Sequence, residues 1–195
     1  VQYDELSVEN TQKVNDYFNK TIFPMLTPMV FDSYHTFPVL MNNRLLLGVV
    51  SRNPTENQNQ QKVSFIQIPQ NLPRFYELRV GDNIQFIPIE EIIRNNVHSL
   101  FRNVEILSTT LFRVNRNGDF TLEESEDIES NFLEDLKRKI KTRRSGRVVR
   151  LEVVDTPDPW MIRILKIQWD LDDHNIFHVP KSSMIDFTGL LQIVN

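Results

Sequence analysis

The 195-residue sequence contains no cysteine, and this absence excludes several kinds of chemistry. Disulfide bonds, thiolate metal sites and cysteine nucleophiles all require a thiol group. Glycine is also scarce, since the five glycines lie far apart in the sequence. Loops that cradle phosphates need clustered glycines, because their backbone amides must approach the phosphate closely. The sequence therefore excludes a P-loop, a dinucleotide-binding fingerprint and a nucleophilic serine held between two glycines.

Long apolar runs and an excess of basic charge are missing as well. Apolar runs such as 45–50 are far shorter than the about 20 residues that a membrane-spanning helix needs. The net charge is −4 and the pI is about 5.6, whereas a dedicated nucleic-acid-binding protein usually has a basic excess. We therefore expect no membrane span and no nucleic acid partner, and any anion site has to be a local patch.

The apolar patterns that are present predict a single α+β domain. Strands are predicted at 44–51, 62–68, 84–87, 104–114, 147–154 and 176–179. Helices are predicted within residues 1–22, from Pro88, after Thr121, at 159–169 and from Asp186. Because strands and helices alternate irregularly, we expect a mixed or antiparallel sheet with helices packed mainly on one face.

Three local details of this prediction depend on particular residues. The polar stretch 51–61 is expected to close a hairpin, with a linker as the alternative. Ser7 or Asn10 is expected to cap the first helix. On the long strand, alternation places Ile106 on one side of the sheet and Leu107 on the other. The members of the first side are Val104, Ile106, Phe112 and Val114, and those of the second are Leu107 and Leu111.

Histidine spacing gives little support for catalysis. His174 and His178 stand four positions apart beside Asp172 and Asp173, and on a helix this spacing would put two imidazoles on one face for a metal. The segment 176–179 instead has the pattern of a strand, where positions four apart are separated by about 13 Å. We interpret both as surface or edge histidines, and we predict neither a metal site nor a catalytic residue in this chain.

The most distinctive charge pattern is a predicted helix with an acidic and a basic half. Eight acids and no bases occupy 119–135, and eight bases and no acids occupy 137–150. Acids near a helix start and bases near its end complement the helix dipole by roughly 0.3–1 kcal/mol each, which is a structural explanation. The functional alternative is a polyanion site, in which Arg143, Arg144 and Arg147 clamp phosphates with their planar guanidinium groups.

Five stretches in a fixed order resemble the signature of a known family. They are FPMLTP at 23–28, IPQNLPRF at 68–75, FIPIEEII at 86–93, FRVNRNGD at 112–119 and RRSGRVVRLEV at 143–153. Their order and spacing resemble the middle, or head, domain of the large bacterial polyphosphate kinase, over nearly the whole chain. Asn115, Asn117, Gly118 and the Asn- and Gln-rich stretch 51–61 depart from the family pattern, which affects the loops.

The resemblance implies a non-catalytic part of a larger enzyme. Members of that family transfer the terminal phosphate of ATP reversibly to polyphosphate through a phosphorylated histidine, with magnesium, on other domains. We therefore expect ATP and Mg²⁺ to serve only the full-length kinase, and the isolated domain to be inactive. Residues 1–22 are expected to lead in from a preceding helical domain, and 23–195 to form the head domain. The start at Val1 and the apolar run 190–194 agree with a chain cut from a longer protein.

The resemblance also implies partners and a location. The domain is expected to contact the remaining domains of the same enzyme, to help form a dimer or higher homo-oligomer, and to line the path of polyphosphate. It is expected in the cytoplasm, with a peripheral position at the inner membrane as the alternative. The candidate polyphosphate contacts are Arg143, Arg144, Arg147, Arg74 and Arg116. For Arg74 the structural alternative is to anchor a turn through backbone carbonyls.

Two competing functions remain open on the sequence alone. The first is a non-enzymatic polyanion- or RNA-binding module that uses the basic end 137–150. Binding of single-stranded nucleic acid usually needs aromatic side chains on which bases stack, and 137–150 contains none. The second is an independent hydrolase, for which the sequence shows no catalytic motif.

Overall fold

Two β-sheets organise the chain. The computed structural model describes residues 1–32, 35–54, 61–117, 146–154, 156–180, 183 and 185–194. The strands are β1 (Met29–Phe31), β2 (Leu45–Arg52), β3 (Gln61–Gln67), β4 (Phe75–Val80), β5 (Asn83–Pro88), β6 (Glu105–Arg116), β7 (Val148–Val154) and β8 (Ile176–Val179). One sheet has the order β1-β3-β2-β6-β7-β8, and β4 and β5 form a separate hairpin. Only the β7–β8 pairing among the described strands is parallel. The predicted α+β class and mixed sheet are confirmed.

Four α-helices lie within the described ranges. They are α1 (Val8–Tyr17), α2 (Ile89–Asn95), α3 (Pro159–Trp169) and α4 (Leu191–Val194). Ser7, one of the two predicted caps, accepts a hydrogen bond of 3.3 Å from a backbone N–H of the first turn of α1. Asp158 caps α3, because its Oδ1 accepts from the N–H groups of Trp160 and Met161 at 2.8 and 3.0 Å. No helix in the described part of the chain is long and apolar enough to cross a membrane.

Strand β2 separates two hydrophobic cores. Leu45, Leu47 and Val49 belong to the core that α1 and α2 cover. Leu46 and Val50 belong to the core that α3 covers. Successive side chains of a strand point to opposite faces, and β2 is apolar at nearly every position. Helix α3 therefore covers the second apolar face of the sheet, opposite to α1 and α2.

A β-bulge in β6 reverses two predicted side-chain directions. The register between β2 and β6 shifts between Val50 and Ser51, and Leu107 is the extra residue. Ile106 consequently packs against the α1/α2 core, and Leu107 packs against the α3 core. The sequence pattern placed both residues on the opposite sides, which is wrong because an inserted residue interrupts the alternation of a strand.

Most of the other predicted elements are confirmed, and the ends of the strands are shifted by at most two residues. The helix predicted from Asp186 instead begins as a 3-10 turn at Thr188 and continues as α4 from Leu191. The bounds of α3 and β8 agree with the predicted 159–169 and 176–179. The hairpin predicted around 51–61 is confirmed by the antiparallel pairing of β2 with β3, although residues 55–60 lie outside the described residues. The helix predicted after Thr121 also lies outside them. Strands β1 and β4 are additions that the sequence pattern did not predict.

Candidate anion-binding site

Strand pairing brings two of the predicted polyphosphate contacts together at one end of the large sheet. Arg116 ends β6 opposite Val148 of β7. The next backbone N–H, that of Asn117, donates to the carbonyl of Arg147 at 2.8 Å. The backbone of Arg147, directly before β7, is therefore a neighbour of the end of β6 at Arg116. Arg143 and Arg144 precede this point in the sequence and lie outside the described residues.

The guanidinium of Arg116 is held by backbone carbonyls. Its Nη1 donates to Gly146 at 2.7 Å, and its Nη2 donates to Leu40 at 3.1 Å. Its Nε is buried without a hydrogen-bond partner in the described structure. No carboxylate among the described residues pairs with it, and burial lowers the pKa of Arg116 from its usual value. A guanidinium nevertheless stays protonated in proteins, so Arg116 contributes a positive charge that described carboxylates do not balance.

An asparagine turn fixes the backbone at the same end of the sheet. The side-chain oxygen of Asn42 accepts from the N–H of Arg116 at 2.8 Å. The N–H of Asn43 donates to the carbonyl of Val114 at 2.8 Å. Asn43 has a φ of 56°, a left-handed conformation that asparagine tolerates better than most residues. The turn thus holds the end of β6, and with it Arg116, in a defined position.

Arg147 is the accessible member of this sheet end. Its side chain is 71% exposed, and its Nη2 lies 3.7 Å from Oδ2 of Asp170, whose side chain is 99% exposed. Exposed ion pairs of this kind contribute about 0–1 kcal/mol, because water screens them and the side chains lose freedom. Arg147 can therefore leave Asp170 at little cost and contact an anion from solution.

Arg74 lies in a different environment, at the start of β4. Its side chain is only 13% exposed. Its Nη2 donates to Oε1 of the buried Glu90, and its Nη1 lies 3.7 Å from Oδ2 of Asp186. Carboxylates therefore anchor Arg74. The structural alternative predicted for Arg74 was contact with backbone carbonyls. Contacts of that kind are found at Arg116 instead.

Arg113, which the sequence patterns did not single out, lies in the same environment as Arg74. The Nε and Nη2 atoms of Arg113 both lie 2.7 Å from Oε2 of Glu152. Its Nη1 lies 3.9 Å from Oδ1 of Asp186. Arg150 contacts the other oxygen of Glu152 at 2.8 Å. We call Arg74, Glu90, Asp186, Arg113, Glu152 and Arg150 the ionic network. Arg113 and Glu152 are register partners on β6 and β7. The pair therefore follows from strand pairing, and no local sequence pattern indicates it.

Two carboxylates of the ionic network have pKa values shifted in opposite directions. Burial raises the pKa of Glu90 and outweighs the nearby charge of Arg74, in agreement with an Oε2 that has no described hydrogen-bond partner. Burial also opposes the charge of Asp186. There, however, two hydrogen bonds from Thr188 and the charges of Arg74 and Arg113 prevail, and the pKa is lowered.

Metal-ligating side chains do not converge in the described ranges. No group of three or more His, Asp or Glu residues there is placed to hold a metal ion. His174 lies in a short 3-10 turn, and His178 lies in β8.

The fold is shared with a solved enzyme structure. The crystal structure of polyphosphate kinase from Porphyromonas gingivalis superposes with a TM-score of 0.73 and 18% sequence identity. The match covers 97% of this chain and 26% of that chain. At this identity the likeness shows the fold: this chain has the architecture of one domain of a larger protein.

Sequence comparison identifies the family. The family model described as "Polyphosphate kinase middle domain" matches residues 9–193. A polyphosphate kinase of Mycolicibacterium gilvum is 34% identical over an alignment of 197 positions, which covers 99% of this chain and 26% of the relative. One of Dictyostelium discoideum is 33% identical over 177 residues, which cover 91% of this chain and 16% of the relative. The chain belongs to the polyphosphate kinase middle-domain family, and it spans about a quarter or less of these relatives.

Proposed function

We propose that this chain is the head domain of a cytoplasmic kinase that transfers the terminal phosphate of ATP reversibly to polyphosphate. The proposal follows from family membership and from the name shared by the relatives. In it, the phosphorylated histidine and the sites for ATP and Mg²⁺ belong to other domains of the full-length enzyme. Residues 1–22 lead in from a preceding domain, and the isolated chain is inactive.

The head domain serves in this proposal as a scaffold for the dimer and as a wall of the polyphosphate path. One observation supports the role as a wall of the polyphosphate path. Arg116, whose charge no described carboxylate balances, and Arg147, whose side chain is 71% exposed, meet at the same sheet end. In the sequence, Arg143 and Arg144 directly precede this end. A chain of phosphates would meet a local positive patch on a domain whose net charge is −4.

Binding at such a patch is mainly electrostatic. Polyphosphate carries about one charge per phosphate, as the backbone of a nucleic acid does, and binding releases the counterions that the polyanion had condensed. Affinity therefore falls steeply as the salt concentration rises. Each arginine that contacts a phosphate contributes to this slope.

The experiment compares Arg147→Ala with Arg79→Ala. Both side chains are exposed arginines, but Arg79 lies on the small β4–β5 sheet. We expect Arg147→Ala to weaken polyphosphate binding several-fold and to reduce the slope of log affinity against log salt by about 0.7–0.9, the value per neutralised phosphate in nucleic acids. Titration of the chain with long-chain polyphosphate at four salt concentrations measures both quantities. Equal slopes for the two variants would reject this contact.

A second measurement addresses the full-length kinase. Replacing Arg143, Arg144 and Arg147 together by Ala is expected to shorten the polymer that the enzyme makes. The RNA-binding alternative is tested with the same chain, by titrating single-stranded RNA beside polyphosphate at low and high salt. Tighter binding of RNA than of polyphosphate at both salt concentrations would favour that alternative. Turnover of ATP or of a phosphoester by the isolated chain would contradict its assignment as non-catalytic.

A further inference from the structure

Two guanidinium groups of the ionic network converge on one carboxylate. Nη1 of Arg74 lies 3.7 Å from Oδ2 of Asp186, and Nη1 of Arg113 lies 3.9 Å from Oδ1 of the same side chain. Both distances are longer than the about 3.2 Å limit of a good N–H···O hydrogen bond. The attraction between these groups is therefore electrostatic, and neither arginine donates a hydrogen bond to Asp186.

Asp186 makes its hydrogen bonds within its own segment instead. Its Oδ1 accepts from the N–H and the hydroxyl of Thr188 at 3.0 and 2.7 Å. The side chain is 24% exposed, whereas Arg74 and Arg113 are 13% and 18% exposed. Asp186 is thus more exposed than the two largely buried cations beside it, and its carboxylate lies within ion-pair distance of both without a hydrogen bond to either.

A cleft opens at this position. It has a volume of about 310 Å³. Its polar lining comes from Gln70, Arg74, Asp186 and Thr188, and its apolar lining from Leu45, Ile68, Pro69 and Leu72. A phosphate group is small relative to this volume. The cleft therefore gives a ligand access to Arg74 from solvent.

The two arginines are fixed before any ligand arrives. Arg113 is held through two of its nitrogens by Glu152, and Arg74 is held by Glu90. Guanidinium groups that are held in place lose less freedom on binding, and their planar forks suit the oxygens of a phosphate. A phosphoryl group offers three acceptor oxygens and up to two negative charges, compared with two oxygens and one charge for the carboxylate of Asp186.

We propose that Arg74 and Arg113 form a binding site for a single phosphoryl group, and that Asp186 occupies this site when no ligand is bound. The ligand would displace the carboxylate of Asp186 and accept hydrogen bonds from both guanidinium groups. This site is separate from the sheet end at Arg116 and Arg147. It depends on the proposed function only for the source of the phosphoryl group, which is either free phosphate or the end of a polyphosphate chain.

The test is a gain of affinity in the Asp186→Asn variant. Asparagine keeps an acceptor for Thr188 but removes the charge that competes with the ligand, so we expect about tenfold tighter binding of orthophosphate than in the wild type. Asp173→Asn is the matched control, since the carboxylate of Asp173 is 95% exposed and pairs only with Lys166 among the described residues. It changes the net charge equally and should leave the affinity unchanged. Calorimetric titration with orthophosphate and tripolyphosphate measures the affinities.

A second readout locates the ligand. We expect the backbone amide resonance of Thr188 to shift on addition of phosphate, because this N–H bonds to the carboxylate that the ligand displaces. Arg113→Lys is expected to reduce the affinity of the Asp186→Asn background about tenfold, because one ammonium group cannot hold Glu152, as Nε and Nη2 of Arg113 do, and also reach the phosphate, as Nη1 would. A melting curve checks that this double variant is folded.

Each outcome decides the proposal. Equal affinities of wild type and Asp186→Asn, or an equal gain in Asp173→Asn, would overturn it. With the expected gain, tighter binding of orthophosphate identifies free phosphate as the ligand, and tighter binding of tripolyphosphate identifies a chain end. Orthophosphate is too small to contact both this site and the sheet end at Arg116 and Arg147. A negative result with Asp186→Asn therefore leaves the salt-slope test at Arg147 unaffected, and a negative result in that test leaves this one unaffected.

Discussion

Arg113 and Arg116 stand three positions apart on β6 and have opposite surroundings. Arg113 lies against Glu152 and Asp186 on the side of the α1/α2 core, where its charge is balanced. Arg116 lies at the end of the strand, where it bonds the carbonyls of Gly146 and Leu40 and has no carboxylate partner among the described residues. An odd spacing on a strand places two side chains on opposite faces. The partners on each face therefore decide what an arginine does.

The largest expected effect comes from separating Arg113 from Glu152. Arg113→Ala leaves a carboxylate that is 10% exposed with only the half-exposed Arg150 as a partner. Removing one member of a buried ion pair typically costs about 3–5 kcal/mol, because the other charge stays desolvated. We expect a loss of that size in the free energy of unfolding, measured by urea denaturation.

The matched control for this prediction removes both charges. Arg113→Met combined with Glu152→Met is expected to recover most of the loss, because neither member of the pair is left buried without its partner. A double variant as unstable as Arg113→Ala would show that packing, rather than the unpaired charge, causes the loss.

A smaller effect is expected at Arg116. Arg116→Ala removes two hydrogen bonds from a charged donor to carbonyls, and we expect a loss of about 2 kcal/mol in the free energy of unfolding. Arg116→Lys should fall between wild type and Arg116→Ala, because one ammonium group cannot reproduce the fork that reaches both Gly146 and Leu40. If Arg116→Ala destabilises as much as Arg113→Ala, the distinction between the two arginines is wrong.

The smallest expected effect is a pH dependence with opposite signs inside the ionic network. The raised pKa of Glu90 means that the folded state holds this proton more tightly than the unfolded state, so stability falls as the pH rises above 4.5. The lowered pKa of Asp186 gives a contribution that is present above pH 3.8 and is lost as the pH falls through the folded value.

Melting temperatures between pH 3 and pH 7 separate the two contributions. Glu90→Gln is expected to flatten the decline above pH 4.5, and Asp186→Asn is expected to reduce the loss below pH 3.8. Glu77→Gln, at an exposed position of β4, serves as the control. Parallel curves for all four proteins would show that neither carboxylate is linked to folding.

Sequence patterns predicted the elements whose signals are local. The bounds of α3 follow from Asp158 as a cap and from Pro159 in the first turn, where its missing N–H costs nothing. Strand β4 was not predicted, although Glu77 and Arg79 alternate with the apolar residues Tyr76, Leu78 and Val80 as in a half-buried strand. The bulge at Leu107 depends on the pairing of β6 with β2, and a single strand carries no sign of its partner's register.

The candidate sites were predictable only in part. Family resemblance and charge pattern named Arg74, Arg116 and Arg147, and the structure gives each its surroundings. Their roles in binding polyphosphate stay predictions. The ionic network could not be predicted, because its pairs join residues far apart in the sequence, such as Arg113 and Asp186. Composition counts arginines, but only the fold determines which carboxylates lie beside them.

Gln192 has a consequence for the outer edge of the small sheet. Its side-chain amide accepts from the N–H of Phe75 at 3.0 Å and donates to the carbonyl of Phe75 at 2.9 Å. One side chain thereby makes the two hydrogen bonds that a neighbouring strand would make. Open strand edges invite pairing with other molecules and lead to aggregation. At Phe75, the first residue of β4, Gln192 occupies both backbone groups, so they are not open to pairing with another molecule.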